Sequence, residues 1–182
     1  MRARAMRTIS KSTSAITATI VALALPAAAG PERVTWPGGF SDDYILYLQV
    51  DRHDRNRVRL MYVNPEADAQ ARAGAPLPEG TVLVMADKDA KLDADGKPVI
   101  GPDGRFVPTG DFTNIFVMEK RAGWGADQPA ELRNGDWDYA WFQPDGTLSP
   151  DASYDGCFSC HAYREERDFT FTYAKFLIDQ GR

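Results

Sequence analysis

The sequence predicts a mainly β, α+β domain: a single antiparallel sheet with one or two short helices and a C-terminal cysteine–histidine segment. Three observations carry this reading. From residue 40 onward, short aromatic and β-branched runs alternate with clusters of Gly, Pro, Asn and Asp. Only two stretches have helical character. The alternating strands and helices that a parallel sheet needs are missing.

Residues 1–29 read as a cleaved secretory signal. Arg2, Arg4, Arg7 and Lys11 make a basic start without an acidic residue, an apolar run follows from about Ala15 to Leu25, and "PAAAG" closes it. Ala27 and Ala29 supply the A-x-A pattern of a signal-peptidase site, with the cut before Gly30. The run is short for a bilayer span, and no later segment approaches roughly 18 apolar residues. The expectation is a periplasmic protein whose residues 30–182 form one domain, with no membrane span after cleavage. Cleavage removes four positive charges and no negative ones, taking the net charge from −5 to −9. So acidic a domain is ill suited to nucleic acid or an anionic membrane.

The first strand is "YILYLQV" (44–50), and "DRHDRN", which contains His53, is a polar hairpin connection. In "RVRLMYV" (57–63) alternation puts Val58, Leu60 and Tyr62 on one face, and Arg57, Arg59, Met61 and Val63 on the other. "NPEADAQARAG" (64–74) starts with Asn-Pro and ends on glycine, as a helix does. "TVLVM" (81–85) follows the turn "PLPEG" and predicts a third strand. Residues 89–110 carry two Asp-Gly turns and read as a hairpin insertion. "FTNIFVMEKR" (112–121) and "WDYAWF" (137–142) complete the strands, the last with Trp137, Tyr139 and Trp141 on one face. "FTYAKFLIDQG" (171–181) predicts a terminal helix or a last strand.

"GCFSCHAYREERDFTFT" (156–172) holds both cysteines and one of the two histidines. A disulfide across so small a loop adds little to a domain of this size. A zinc site usually takes four protein ligands, and only His53 remains as a soft partner. A redox dithiol normally sits in alternating β and α units. C-x-x-C-H is the order that covalent haem attachment requires, with thiols for the two vinyl groups and an imidazole for the iron. The expected cofactor is one covalent haem c per chain, held by Cys157, Cys160 and His161. The motif comes last in the chain and no methionine lies beyond Met118, unlike small electron-transfer cytochromes with a downstream methionine ligand.

A C-terminal haem motif on a β-rich exported domain resembles the cytochrome P-460 family, which includes the β-type cytochromes c′. "RLMYVNPEADAQARAGAPLPEGTVLVM" looks like the family's strand, helix and Gly-Thr-Val strand in succession. "NGDWDYAWF" is similar to its tryptophan-bearing strand, and "CFSCHAYREERDFTFT" to its haem segment running into an Asp-Phe-x-Phe-Thr strand. The likeness covers roughly residues 57 to 176. It implies a five-coordinate haem with His161 proximal, an open distal face and a homodimer. In the catalytic branch a lysine ending the Gly-Thr-Val strand is bonded to the haem edge; Met85 stands there instead. Lys88 falls on the opposite strand face unless a bulge intervenes.

By the same likeness Arg59 and Glu119 are the distal polar residues. Taken alone, Arg59 reads as a surface arginine, Glu119 as a charged strand end, and Met85, Met61 and Met118 as core. Two functions follow. One is an oxidoreductase for hydroxylamine or nitric oxide, with Glu119 accepting a proton, Arg59 steadying charge and a redox partner protein taking electrons. The other is a non-catalytic nitric oxide binder, with Met85 lining the pocket. Simple electron transfer is a third, weaker alternative.

Overall fold

The computed structural model describes residues 30–150 and 152–182. The secretory signal expected over 1–29 lies outside the described residues. Five strands, β1 (Ile45–Arg52), β2 (Arg57–Val63), β3 (Val82–Ala90), β4 (Pro108–Lys120) and β5 (Trp137–Phe142), form one antiparallel sheet in chain order. The fold class is the one the strand pattern predicts. Helices are α1 (Phe40–Asp43), α2 (Pro65–Gln70), α3 (Asp155–Ala162) and α4 (Tyr173–Asp179), with short 3-10 turns between them.

Side chains from both faces of the sheet enter a core, so the strands divide their apolar residues between two clusters. On one face Val58, Leu60 and Tyr62 of β2 pack with Val84, Val117 and Phe142, beneath Val34 and Phe40 of the N-terminal segment. On the other, Val63, Leu83, Met118, Trp137 and Tyr139 pack against Ala67 of α2, Phe158 of α3 and Leu177 of α4. The alternation expected along β2 and β5 is therefore what divides the two cores.

β3 runs on to Ala90, past the Met85 at which the apolar run stops. Its polar extension is satisfied by neighbours: Asp87 receives Arg59, and Lys88 Nζ donates to Gly110 O at 2.8 Å. The link from β3 to β4 is a folded hairpin, with bridges Leu92 to Pro98 and Ile100 to Phe106. Gly96 and Gly104 adopt left-handed φ of 74° and 76°, as the two Asp-Gly turns require. The hairpin is not purely peripheral, since Phe106 enters the first core.

α2 is shorter than the 64–74 its pattern predicts. Ala71 turns extended, at ψ 139°, and is buried in the second core. Asn64 does not cap the helix; its amide receives Val82 N at 2.8 Å and donates to Gly80 O at 3.2 Å, clamping the start of β3. The C-terminal segment forms the helix α4 and not a strand. Its end docks on α2, where Arg182 bonds the Asp68 carboxylate at 2.8 Å.

Candidate functional site

α3 carries Cys157, Cys160 and His161, at helical spacings of three and four that keep all three on one side. Together with residues 170–173 they form one wall of a cavity of about 350 Å³. The second-core face of the sheet forms the other wall, through Arg59 and Met61 of β2, Met85 of β3, Phe116 and Met118 of β4, and Tyr139 of β5. The lining is mostly apolar.

His161 Nδ1 lies 2.6 Å from the backbone oxygen of Phe169. A carbonyl can only accept, so Nδ1 carries the proton and Nε2 keeps its lone pair. Tyr139 and Phe171 flank the ring, with centroids 4.9 and 5.0 Å away. Burial pushes the His161 pKa below the ordinary imidazole value, with the Phe169 bond opposing it. The side chain is thus a neutral, oriented imidazole with a bare nitrogen, which is what iron takes.

The loop that presents the Phe169 carbonyl is strained. Asp168 and Phe169 sit in succession at left-handed φ of 49° and 60°. Such conformations cost about 1–3 kcal/mol each in non-glycine residues and persist only where surroundings hold them. Asp168 is held on two sides, receiving Leu77 N at 2.8 Å and Lys120 Nζ at 2.7 Å. The Asp-Phe-x-Phe-Thr segment is therefore not the strand that the motif likeness implies. It is a bent loop whose geometry serves His161.

The alternatives for the cysteine motif fare poorly here. Cys157 and Cys160 are both thiols without a disulfide. Burial, then the neighbouring Cys160, raise the Cys157 pKa above its ordinary value, the opposite of an activated redox thiolate. Among the described residues no three His, Cys, Asp or Glu side chains gather as a metal set. Two unbridged thiols and an oriented imidazole around an apolar cavity fit a covalently held haem.

The facing wall departs from the expected distal pair. Arg59 lines the cavity. Glu119 does not; strand alternation turns it away from Phe116 and Met118, and its side chain points through the sheet to the opposite side. There it is 1% exposed, accepting from Thr35 N at 2.8 Å and Arg121 Nε at 2.7 Å. The expected meeting of Arg59 and Glu119 above the iron is not the arrangement found. The carboxylate that joins Arg59 is Asp87, directly across from it in the β2–β3 register, through two bonds of 2.7 and 2.8 Å. Alternation from Met85 to Asp87 was the available signal for this partner.

Met85 lines the cavity beside its cross-strand partner Met61. With Met118 they make a flexible thioether surface that adapts to the shape of a flat group. Lys88 sits on the other sheet face, its ammonium 4.4 Å from the Phe112 ring centroid. The register does shift beside Lys88, but this does not bring it to the cavity. His53 is exposed on the β1–β2 turn and packs on Phe106, 4.6 Å away. Tyr47, also in the lining, has a pKa that burial raises to about 12, the Thr172 hydrogen bond acting against it, so it stays a neutral phenol.

These positions change what a Glu119→Gln substitution should do. It replaces a buried acceptor of two hydrogen bonds, one of them charge-assisted, so it should lower stability by about 1–3 kcal/mol. Urea unfolding checks the loss, and ligand spectra should match the parent protein.

A family model described as Cytochrome P460 matches residues 37–172. A comparison with curated proteins finds no match.

Proposed function

The chain belongs to the cytochrome P460 family, and from that premise we propose that it is an exported, periplasmic c-type haem protein that binds nitric oxide or a similarly small nitrogen species. The family implies a haem cofactor. Cys157 and Cys160 would hold it by thioether bonds and His161 would take the iron. When bound, the haem supplies an iron position for a small ligand; everything else falls to the side chains.

The observation that carries the binding reading is the makeup of the wall facing His161. It consists of methionine, aromatic and aliphatic side chains with one guanidinium, whose charge Asp87 neutralises. Such a wall excludes water and accepts a small, weakly polar molecule. Arg59 can donate one hydrogen bond toward it while Asp87 holds the guanidinium in place. The residues that would support hydroxylamine oxidation are elsewhere: Glu119 and Lys88 both lie on the other side of the sheet. A second reading, oxidation of hydroxylamine, keeps one supporting feature, the Arg59 guanidinium at the cavity, which can steady developing negative charge. A homodimer and a redox partner protein belong to the same proposal.

Anaerobic titration of the ferrous and ferric protein with nitric oxide tests it. Saturable binding, with hydroxylamine turnover at or near background in the presence of an electron acceptor, is expected. Rapid turnover would reverse the order of the two readings. A red-shifted, broad ferrous absorption band would show a cross-linked haem and overturn the account of Met85.

A further inference from the structure

The N-terminal segment ends in a group of charges that does not balance. Asp138 on β5 is fully buried, and Arg33 beside it has a side chain only 5% exposed. One oxygen of Asp138 receives Arg33 Nε at 2.5 Å and the backbone nitrogen of Gly30 at 3.2 Å. Its other oxygen receives the Tyr139 amide at 2.8 Å. Arg33 is itself shared with Asp127, at 3.2 Å, and its guanidinium lies 4.6 Å from the Trp124 ring centroid. The Glu32 carboxylate also crowds Gly30, since a Cβ there would meet Glu32 Oε2 at 2.7 Å. Two carboxylates, Asp138 and Asp127, thus share a single guanidinium, with a third, Glu32, beside Gly30. A buried carboxylate short of positive charge is costly.

Signal removal would supply a further cation at this spot. Gly30 follows the A-x-A pattern of residues 27–29, and hydrolysis of the Ala29–Gly30 bond leaves a carboxylate on Ala29 and an amine on Gly30. An α-amino group titrates near ~8 and is mostly protonated at neutral pH. We propose that removal of the signal creates a structural ligand: the new Gly30 ammonium docks on Asp138 and fastens the N-terminal segment to β5. The inference rests on the export reading but not on the nature of the ligand at the haem. The segment it fastens carries Val34 and Phe40 into the first core, so processing and final packing are linked.

The test uses the holoprotein made from the full chain with its signal and with haem maturation. Intact mass first establishes the start: a chain beginning at Gly30 is expected, and any other start overturns the proposal. A second form carries two residues inserted between Ala29 and Gly30, so that the amine is displaced and only an amide remains at Gly30. Its thermal midpoint should fall by about 5 °C. The same insertion in an Asp138→Asn background should cost little or nothing further. An unchanged midpoint, or an equal drop in both backgrounds, would overturn the docking. Because Asp138→Asn also loses its bond to Arg33 and fails to fold in the worst case, amine labelling of the native protein gives an independent reading. The Gly30 amine should react at least about tenfold more slowly in folded than in urea-unfolded protein. Equal rates would show that it is not held.

Discussion

Replacing Cys157 and Cys160 together by alanine is expected to abolish covalent haem, taking the fraction of chains that carry it from essentially all to none. Intact mass spectrometry of protein made with the maturation machinery reads this directly. The argument is geometric as well as sequential. Both thiols line one cavity on one side of α3, and the imidazole of His161 stands beside them with Nε2 unprotonated. Replacing His161 alone by alanine should leave abnormal ligation, seen as an altered absorption spectrum, because the thiols remain. Parent protein found at the bare mass of the mature chain would remove the basis of the whole functional account.

The double cysteine variant should also be less stable. Without the haem a cavity of about 350 Å³ remains between α3 and the sheet, lined mostly by methionine, aromatic and aliphatic side chains. Unfilled apolar volume of that kind lowers stability because the lining loses its contacts. The expected sign is a lower melting temperature than the holoprotein, by ten degrees or so, in line with a group that binds only the folded state.

The sheet was legible because strand alternation is a local property. Val58, Leu60 and Tyr62 can be assigned to one face from seven residues of sequence, and that face is the first core. α3 was not, since Cys157, Ser159, Cys160 and His161 give no amphipathic stripe; its helix packs through Phe158 and serves the cofactor. Asp168 and Phe169 carry no glycine or asparagine to announce left-handed backbone, and their strain is held by Leu77 and Lys120 from distant segments. Glu119 shows a different failure. The alternation along β4 already places it opposite Phe116 and Met118, but motif likeness ranked the residue type above the parity of the strand. Asp87 was missed because the apolar run that marks the third strand stops at Met85, whereas cross-strand pairing with Arg59 carries the strand on through the charged residues.

The Arg59–Asp87 pair is where stability and ligand binding meet, and its removal in steps should separate the two. Arg59 is 16% exposed and Asp87 4% at their side chains, so neither can turn to bulk water without moving the strands. Arg59→Met leaves the Asp87 carboxylate buried and uncompensated, a change that typically costs about 3–5 kcal/mol. Replacing Asp87 by leucine as well removes that stranded charge, and the double variant should regain most of the loss, ending within about 1–2 kcal/mol of the parent in urea unfolding. Ligand binding should behave otherwise. Arg59 supplies the only charged donor among the described cavity-lining residues. Its removal should speed nitric oxide dissociation about tenfold or more, as loss of a charge-assisted hydrogen bond does. That increase should persist in the double variant although the fold has recovered. Recovery of both properties together would mean that Arg59 acts only by holding the sheet. Recovery of stability with dissociation still fast would assign the guanidinium to the ligand and Asp87 to the positioning of Arg59.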